Sequence, residues 1–100
     1  MNKRIEKKFN DLEVLLKVIS VGTRLKILSR IKQEEVCACD LLTCLNVTQP
    51  TLSHHLKVLR EHGLVKSRQI GTRTLYTLED KAIKNIHTML DTLMDTEITC

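Results

Sequence analysis

Three of the chain's four cysteines, Cys37, Cys39 and Cys44, lie within the stretch CACDLLTC. Thiolates bind thiophilic ions, and paired thiols also respond to oxidants. No apolar run approaches the roughly 18 residues of a membrane span, and LEVLLKVIS near the start is interrupted by charged residues. We therefore expect a cytoplasmic protein without a membrane partner. Because thiols stay reduced there, ligation, redox chemistry or burial is expected before a stapling disulfide.

Helical periodicity predicts the elements that hold these cysteines. A second helix is predicted from about Thr23 to Lys32, and QEEVCA is predicted to form a loop. DLLTCL is predicted to form a short helix whose start Asp40 can cap or charge and which Asn46 ends. Apolar residues spaced by three and four predict amphipathic helices at both ends of the chain, at Ile5, Phe9, Leu12, Leu16 and Ile19 and at Ile83, Ile86, Leu90 and Leu93.

A helix-turn-helix is predicted in the middle of the chain. Thr48 or Gln49 can cap a helix with Pro50 in its first turn, and Gly63 can end that helix. Two β-branched runs around Gly71 predict a hairpin, placed as a wing. The expected fold is mostly α with some β (α+β), in the order α-α-α-α-β-β-α. We predict one winged helix-turn-helix domain spanning residues 1–100.

The excess positive charge is concentrated in one segment. Residues 46–76 hold five Lys and Arg against one Glu, which gives +4, while the rest of the chain holds eleven cationic and eleven acidic residues. A localised basic segment is typical of nucleic-acid binding, although solvated basic faces are also common.

The helix TLSHHLKVLREHG presents two different faces. Leu52, Leu56 and Leu59 fall on one side, and we expect His55 beside them to be packed and hydrogen-bonded rather than a metal ligand. The opposite face carries donors and acceptors suited to a DNA groove, and the wing adds cations suited to phosphates. The candidate DNA contacts are Gln49, Thr51, Ser53, His54, Lys57, Lys66, Arg68 and Arg73.

The run VCACDLLTCLNVTQPTLSHHLKVLREHGLVKSRQIGTRTLYTL resembles the winged-helix core of the ArsR/SmtB metalloregulatory repressors, and TRLKIL is similar to that family's second-helix motif. The resemblance implies a homodimer built from the first and last helices. It implies that the dimer represses an operon for metal efflux or detoxification and releases DNA when an ion binds. Family members usually have Asp-Pro where this chain has Val21-Gly22, which removes a helix-start device.

Two of the family's metal sites do not match this chain. On the last helix, Asp80 matches the first position of a zinc site, but Ala82, Leu93 and Thr96 occupy the others. The four-thiolate site for soft cations such as cadmium needs cysteines in an N-terminal arm, and none precedes Cys37.

The family's thiolate trio for trivalent arsenic or antimony matches in part. Cys37 and Cys39 occupy its first two positions, but Leu42 occupies the third. Cys44 would lie about 140° round and 7.5 Å along the helix from Cys39, instead of about 60° and 4.5 Å, so we expect it to pack in the core. The candidate third donors are water, a small thiol, Cys44 after local unwinding of the helix, or Cys100, which we expect to be an unconstrained terminal residue.

The leading interpretation is therefore a dimeric, DNA-binding transcriptional repressor that senses As(III) or Sb(III) through Cys37 and Cys39. One alternative keeps the repressor but has the pair respond to cadmium, zinc, copper(I) or oxidants. Another is a winged-helix interaction module that does not bind DNA. An enzyme is not expected, because no carboxylate pair or activated nucleophile stands in an evident pocket, and no organic cofactor is expected.

Overall fold

A computed structural model describes residues 2–99 of the chain. Its elements follow the predicted order, with one additional short strand. They are α1 (Lys3–Ile19), α2 (Gly22–Gln33), β1 (Val36–Cys37), α3 (Ala38–Leu45), α4 (Gln49–Glu61), β2 (Val65–Ile70), β3 (Arg73–Leu78) and α5 (Asp80–Met94).

Local residue chemistry explains most of the element ends. The Asn2 side chain accepts a hydrogen bond from the Ile5 amide at the start of α1, and Thr48 caps α4 in the same way. Asn46 ends α3 with a φ of 52°, and Gly63 follows α4 with a φ of +74°. The start of α2 at Val21 has no side-chain cap, as expected from the missing Asp-Pro.

Strand β1 corrects the prediction that QEEVCA is wholly a loop. Val36 pairs with Tyr76 and Cys37 with Leu75, both in β3, so the sheet has the antiparallel order β1-β3-β2. Two residues carry too little periodic signal to indicate a strand, and β1 exists because β3 supplies its partner. The cysteine segment is thereby hydrogen-bonded to the wing.

The core is aliphatic, as the composition predicts. Leu52, Leu56 and Leu59 of α4 are buried, and Tyr76 is the buried aromatic residue among residues 2–99. Helix α3 contributes Leu41, which is fully buried and holds that short helix against the rest of the core. This packing fixes where the cysteines and α4 lie relative to each other.

Candidate metal centre and nucleic-acid interface

Cys37 and Cys39 lie at the start of α3 and are joined by a disulfide. The structure therefore holds the disulfide that the sequence analysis ranked behind ligation, redox chemistry and burial, because pairing of β1 with β3 and the first turn of α3 bring the two side chains together. Cys37 is 2% exposed, whereas Cys39 is exposed. The pair thus has one sulfur in the core and one at the surface.

Cys37 itself caps α3, and Asp40 takes the other role expected for it, as the acidic residue in the first turn of the helix. Its sulfur accepts a hydrogen bond from the backbone N–H of Asp40 over 3.3 Å. A helix N-terminus is the positive end of the helix dipole, so it favours the thiolate form of a reduced cysteine.

Asp40 is the donor that the sequence analysis missed as a ligand. One carboxylate oxygen of Asp40 and the sulfurs of Cys37 and Cys39 all lie within 4.8 Å of one another. This donor set, two sulfurs and one oxygen, fits a thiophilic or borderline cation once the disulfide is reduced.

The prediction that Cys44 packs in the core is wrong, because its side chain is exposed. The packed stripe of α3 consists of Ala38, Leu41, Leu42 and Leu45. At 100° per residue, Cys44 points about 110° away from the centre of that stripe. Cys44 is also not among the clustered donors found in residues 2–99. Cys100, the other candidate ligand, lies outside the described residues.

The eight candidate DNA contacts are all exposed. Five lie in the first three turns of α4, and three lie on β2 and β3. The cationic contacts differ in whether a neighbouring carboxylate forms an ion pair with them. Lys57 approaches Glu61 at 3.9 Å and Lys66 approaches Glu79 at 3.6 Å, whereas Arg73 has no ion-pair partner within residues 2–99.

Arg68 has a specific partner that the sequence analysis did not identify. Its Nε donates to Oε2 of Glu35 over 2.6 Å, and its Nη2 donates to Oε1 of the same carboxylate. These hydrogen bonds lower the pKa of Glu35 below its ordinary value. The two residues are 33 positions apart, so no local pattern indicates the contact.

His55 is half-buried and hydrogen-bonded, as predicted. Its Nδ1 accepts a hydrogen bond from Arg24 Nε over 3.0 Å, and Arg24 also donates to the carbonyl of Val18 over 3.2 Å. Burial lowers the pKa of His55, and the positive charge of Arg24 adds to this effect. The neutral ring therefore connects α4 to α2 and to the end of α1.

One cavity joins the cysteine pair to the predicted DNA-contacting residues. It has a volume of about 340 Å³, and both cysteines line it together with Gln49 and Ser53 of α4 and Arg73 of the wing. A thiol-binding group in this cavity would lie beside three of the candidate DNA contacts.

Helices α1 and α5 leave an apolar groove at their junction. Phe9, Leu16, Leu90 and Met94 are among the residues that line this space of about 520 Å³. Met94 is 70% exposed and Leu16 is 36% exposed, which is unusual for residues on amphipathic helices that pack together. Among residues 2–99, no helix has both the length and the apolar character that crossing a membrane requires.

Comparison with known proteins agrees with this architecture. A family model described as "Bacterial regulatory protein, arsR family" matches residues 22–67. An arsenical resistance operon repressor from Staphylococcus xylosus is 38% identical over 92 residues, which span 92% of this chain and 88% of that protein.

Solved structures show the same fold. Reduced HlyU from Vibrio cholerae N16961 superposes with a TM-score of 0.77 at 32% identity, over 95% of this chain and all (100%) of that chain. A homodimeric winged helix-turn-helix DNA-binding domain from Mycobacterium bovis superposes with a TM-score of 0.73 at 23% identity, over 99% of this chain and 92% of that chain.

Proposed function

Because this chain belongs to the arsR family of bacterial regulatory proteins, we propose that it is a DNA-binding transcriptional repressor that releases its operator when As(III) or Sb(III) binds Cys37 and Cys39. The observation that carries this proposal is the shared cavity, in which both cysteines adjoin Gln49, Ser53 and Arg73. We place the repressor in the cytoplasm, where the pair is held as thiols.

Helix α3 provides the response. When bound, the ion supplies a soft Lewis acid that holds thiolates together. The Cys37 sulfur caps α3 by accepting a hydrogen bond from the Asp40 amide. Sharing its lone pairs with the ion would weaken that hydrogen bond. Because α3 contacts α4 and Leu41 anchors α3 in the core, loosening the first turn of α3 shifts α4 relative to the wing.

DNA binding is assigned to the exposed face of α4 and to the wing. The Thr48 hydroxyl donates to the Thr51 hydroxyl over 2.8 Å, so the Thr51 proton is left to donate to a base or phosphate. In this assignment Gln49, Ser53 and His54 face the groove, and the wing cations follow the phosphates. The alternative interaction module predicts that replacing these α4 residues with Ala leaves DNA affinity unchanged.

We also propose a homodimer formed through α1 and α5. Leu16 and Met94 line an apolar groove that one chain leaves exposed. Packing of this face against the same face of a second protomer would bury that apolar surface. A dimer would place two copies of α4 against two half-sites of an operator.

The direct test replaces both ligand cysteines with Ser. The Cys37→Ser/Cys39→Ser protein should bind operator DNA with a dissociation constant within about threefold of wild type, because Ser can still cap α3. Arsenite should no longer release the operator from this variant, and the sulfur-to-arsenic charge-transfer absorption should be absent. Fluorescence anisotropy and ultraviolet titration under reducing conditions measure the two properties.

Cys44→Ser is the matched control, because Cys44 is an exposed thiol on the same helix but outside the donor cluster. It should respond to arsenite as wild type does. Normal release from the double variant, or loss of release in Cys44→Ser alone, would contradict the assignment of the pair.

A second candidate function is redox sensing by the same pair, which the disulfide between Cys37 and Cys39 favours. Release of the operator after peroxide treatment, with no release by any ion, would identify the protein as a redox sensor. The carboxylate of Asp40 also favours an ion that accepts both sulfur and oxygen ligands, such as zinc or cadmium. Asp40→Asn should weaken binding of those ions in parallel titrations while leaving arsenite binding unchanged.

A further inference from the structure

The ion pair between Glu35 and Arg68 connects the segment before the cysteines to the wing. Glu35 directly precedes β1, and Arg68 lies in β2, which is separated from β1 by β3. The Glu35 side chain therefore reaches across the sheet. The guanidinium donates two hydrogen bonds to the one carboxylate, which fixes its orientation.

The strand register reinforces this connection. Cys37 pairs with Leu75 in β3, and Leu75 pairs on its other side with Arg68. A candidate ligand and a candidate phosphate contact thus lie in one row across three strands. A displacement of Cys37 is transmitted to Arg68 both through this row and through Glu35.

The geometry of the pair distinguishes it from most surface ion pairs. Exposed pairs with a single contact contribute little, because two long side chains must be held in place. Here the Glu35 side chain is 27% exposed, and the Arg68 side chain is 60% exposed. Glu35 uses two donors of the guanidinium, and the other N–H groups remain to face a phosphate.

We propose that Glu35 is a positioning residue that orients Arg68 for DNA and makes the wing respond to the state of Cys37. The ion pair is present while Cys37 and Cys39 are joined by a disulfide, so the orientation of Arg68 in this state depends on the position of β1. A change in the position of Cys37 between the disulfide, the thiol pair and the ion-bound pair moves Glu35 and changes how Arg68 faces the phosphate. This role rests on the proposed function, because it names a second route from the cysteines to the DNA-binding surface.

The test compares Glu35→Gln with Glu34→Gln. Glu34 is the neighbouring carboxylate, but it pairs with Arg30 within the same helical segment at 3.1 Å and not with the wing. Both variants lose one negative charge at adjacent positions. A third variant, Arg68→Lys, keeps the cation but loses the two-pronged contact with Glu35.

Operator affinity is measured by fluorescence anisotropy on the double-stranded DNA that the wild-type protein selects from a random-sequence library. The dissociation constant is determined for the reduced protein, with arsenite, and after diamide treatment, which takes two electrons and two protons as the thiols form a disulfide. The ratio of the treated to the untreated constant measures the coupling. Charge-transfer absorption without DNA measures ion binding separately.

In Glu35→Gln and Arg68→Lys we expect the coupling ratio to fall at least about threefold, against the roughly 5–150-fold range usual for allosteric proteins. Ion binding without DNA should stay unchanged, and Glu34→Gln should match wild type. Combining Glu35→Gln with Arg68→Lys should reduce the ratio no further. A wild-type ratio in Glu35→Gln, or an equal loss in Glu34→Gln, would overturn the role of Glu35.

Hydrogen exchange distinguishes failure of this inference from failure of the proposed function. If neither arsenite nor diamide releases DNA from the wild-type protein, the proposed function is contradicted. In that case, hydrogen exchange of the backbone amides of Val65–Ile70 tests the role of Glu35 in the absence of DNA. Their exchange should change on diamide treatment of wild type and should change less in Glu35→Gln. The same response in both proteins would reject the connection.

Discussion

Arg73 is expected to be the wing cation on which DNA binding depends most. Arg68 is held by Glu35, and Lys66 lies 3.6 Å from Glu79, whereas Arg73 is exposed and has no ion-pair partner within residues 2–99. Arg73 therefore has no protein contact to give up when it binds a phosphate. Replacing it with Gln should remove one phosphate contact from each protomer.

The expected magnitude follows from counterion release. Each lost phosphate contact lowers the slope of log affinity against log salt by about 0.9, so a dimer loses about 1.8. Between about 50 and about 200 mM salt, the affinity advantage of wild type over Arg73→Gln should therefore shrink by roughly 12-fold. Anisotropy titrations at four or more salt concentrations, within about that range, measure both slopes.

Lys84→Gln is the control with the same change in charge. Lys84 is exposed on α5, which packs on α1 instead of carrying the predicted DNA contacts. Its salt slope should match that of wild type. An unchanged slope in Arg73→Gln, or an equal decrease in Lys84→Gln, would refute the assignment of Arg73 as a phosphate contact of the wing.

Three further predictions concern stability and assembly. Because burial and Arg24 lower the pKa of His55, the unfolded chain binds more protons below about pH 6.5, and the free energy of unfolding should fall as the pH drops through that value. His55→Asn keeps an acceptor for Arg24 and should remove this part of the pH dependence in urea titrations; an unchanged profile would contradict it. Leu59→Ala empties a fully buried position (0% exposed) and should cost about 2–5 kcal/mol by circular dichroism. Leu25→Ala, at 48% exposed, should change stability by less than about 0.5 kcal/mol, and equal losses would refute the packing argument. Leu16→Glu should convert the dimer to monomer in sedimentation velocity, and a persistent dimer would exclude the α1–α5 face.

Periodicity and capping in the sequence predicted the main elements. The three-and-four spacing of Leu and Ile requires amphipathic helices, and Thr48, Asn46 and Gly63 mark helix ends through interactions within a few residues. The helix-turn-helix, the hairpin and the position of Cys37 and Cys39 at the start of α3 were therefore accessible from local chemistry.

Contacts between distant residues were not accessible in this way. Strand β1 exists because Val36 meets Tyr76, and the Arg68–Glu35 and Arg24–His55 hydrogen bonds span 33 and 31 positions. No pattern within a helix or strand specifies which pairs the folded chain brings together.

The cysteines show the same division. The sequence by itself predicted that Cys37 and Cys39 lie at the entry to a short helix, because the apolar pattern of DLLTCL and the helix end at Asn46 are local signals. Only the tertiary structure decided that Cys44 faces solvent, that Asp40 completes the donor cluster and that these groups open toward α4 and the wing. The physical reason is that Leu41 is drawn into the core, and the rotation of α3 about its axis follows from that burial.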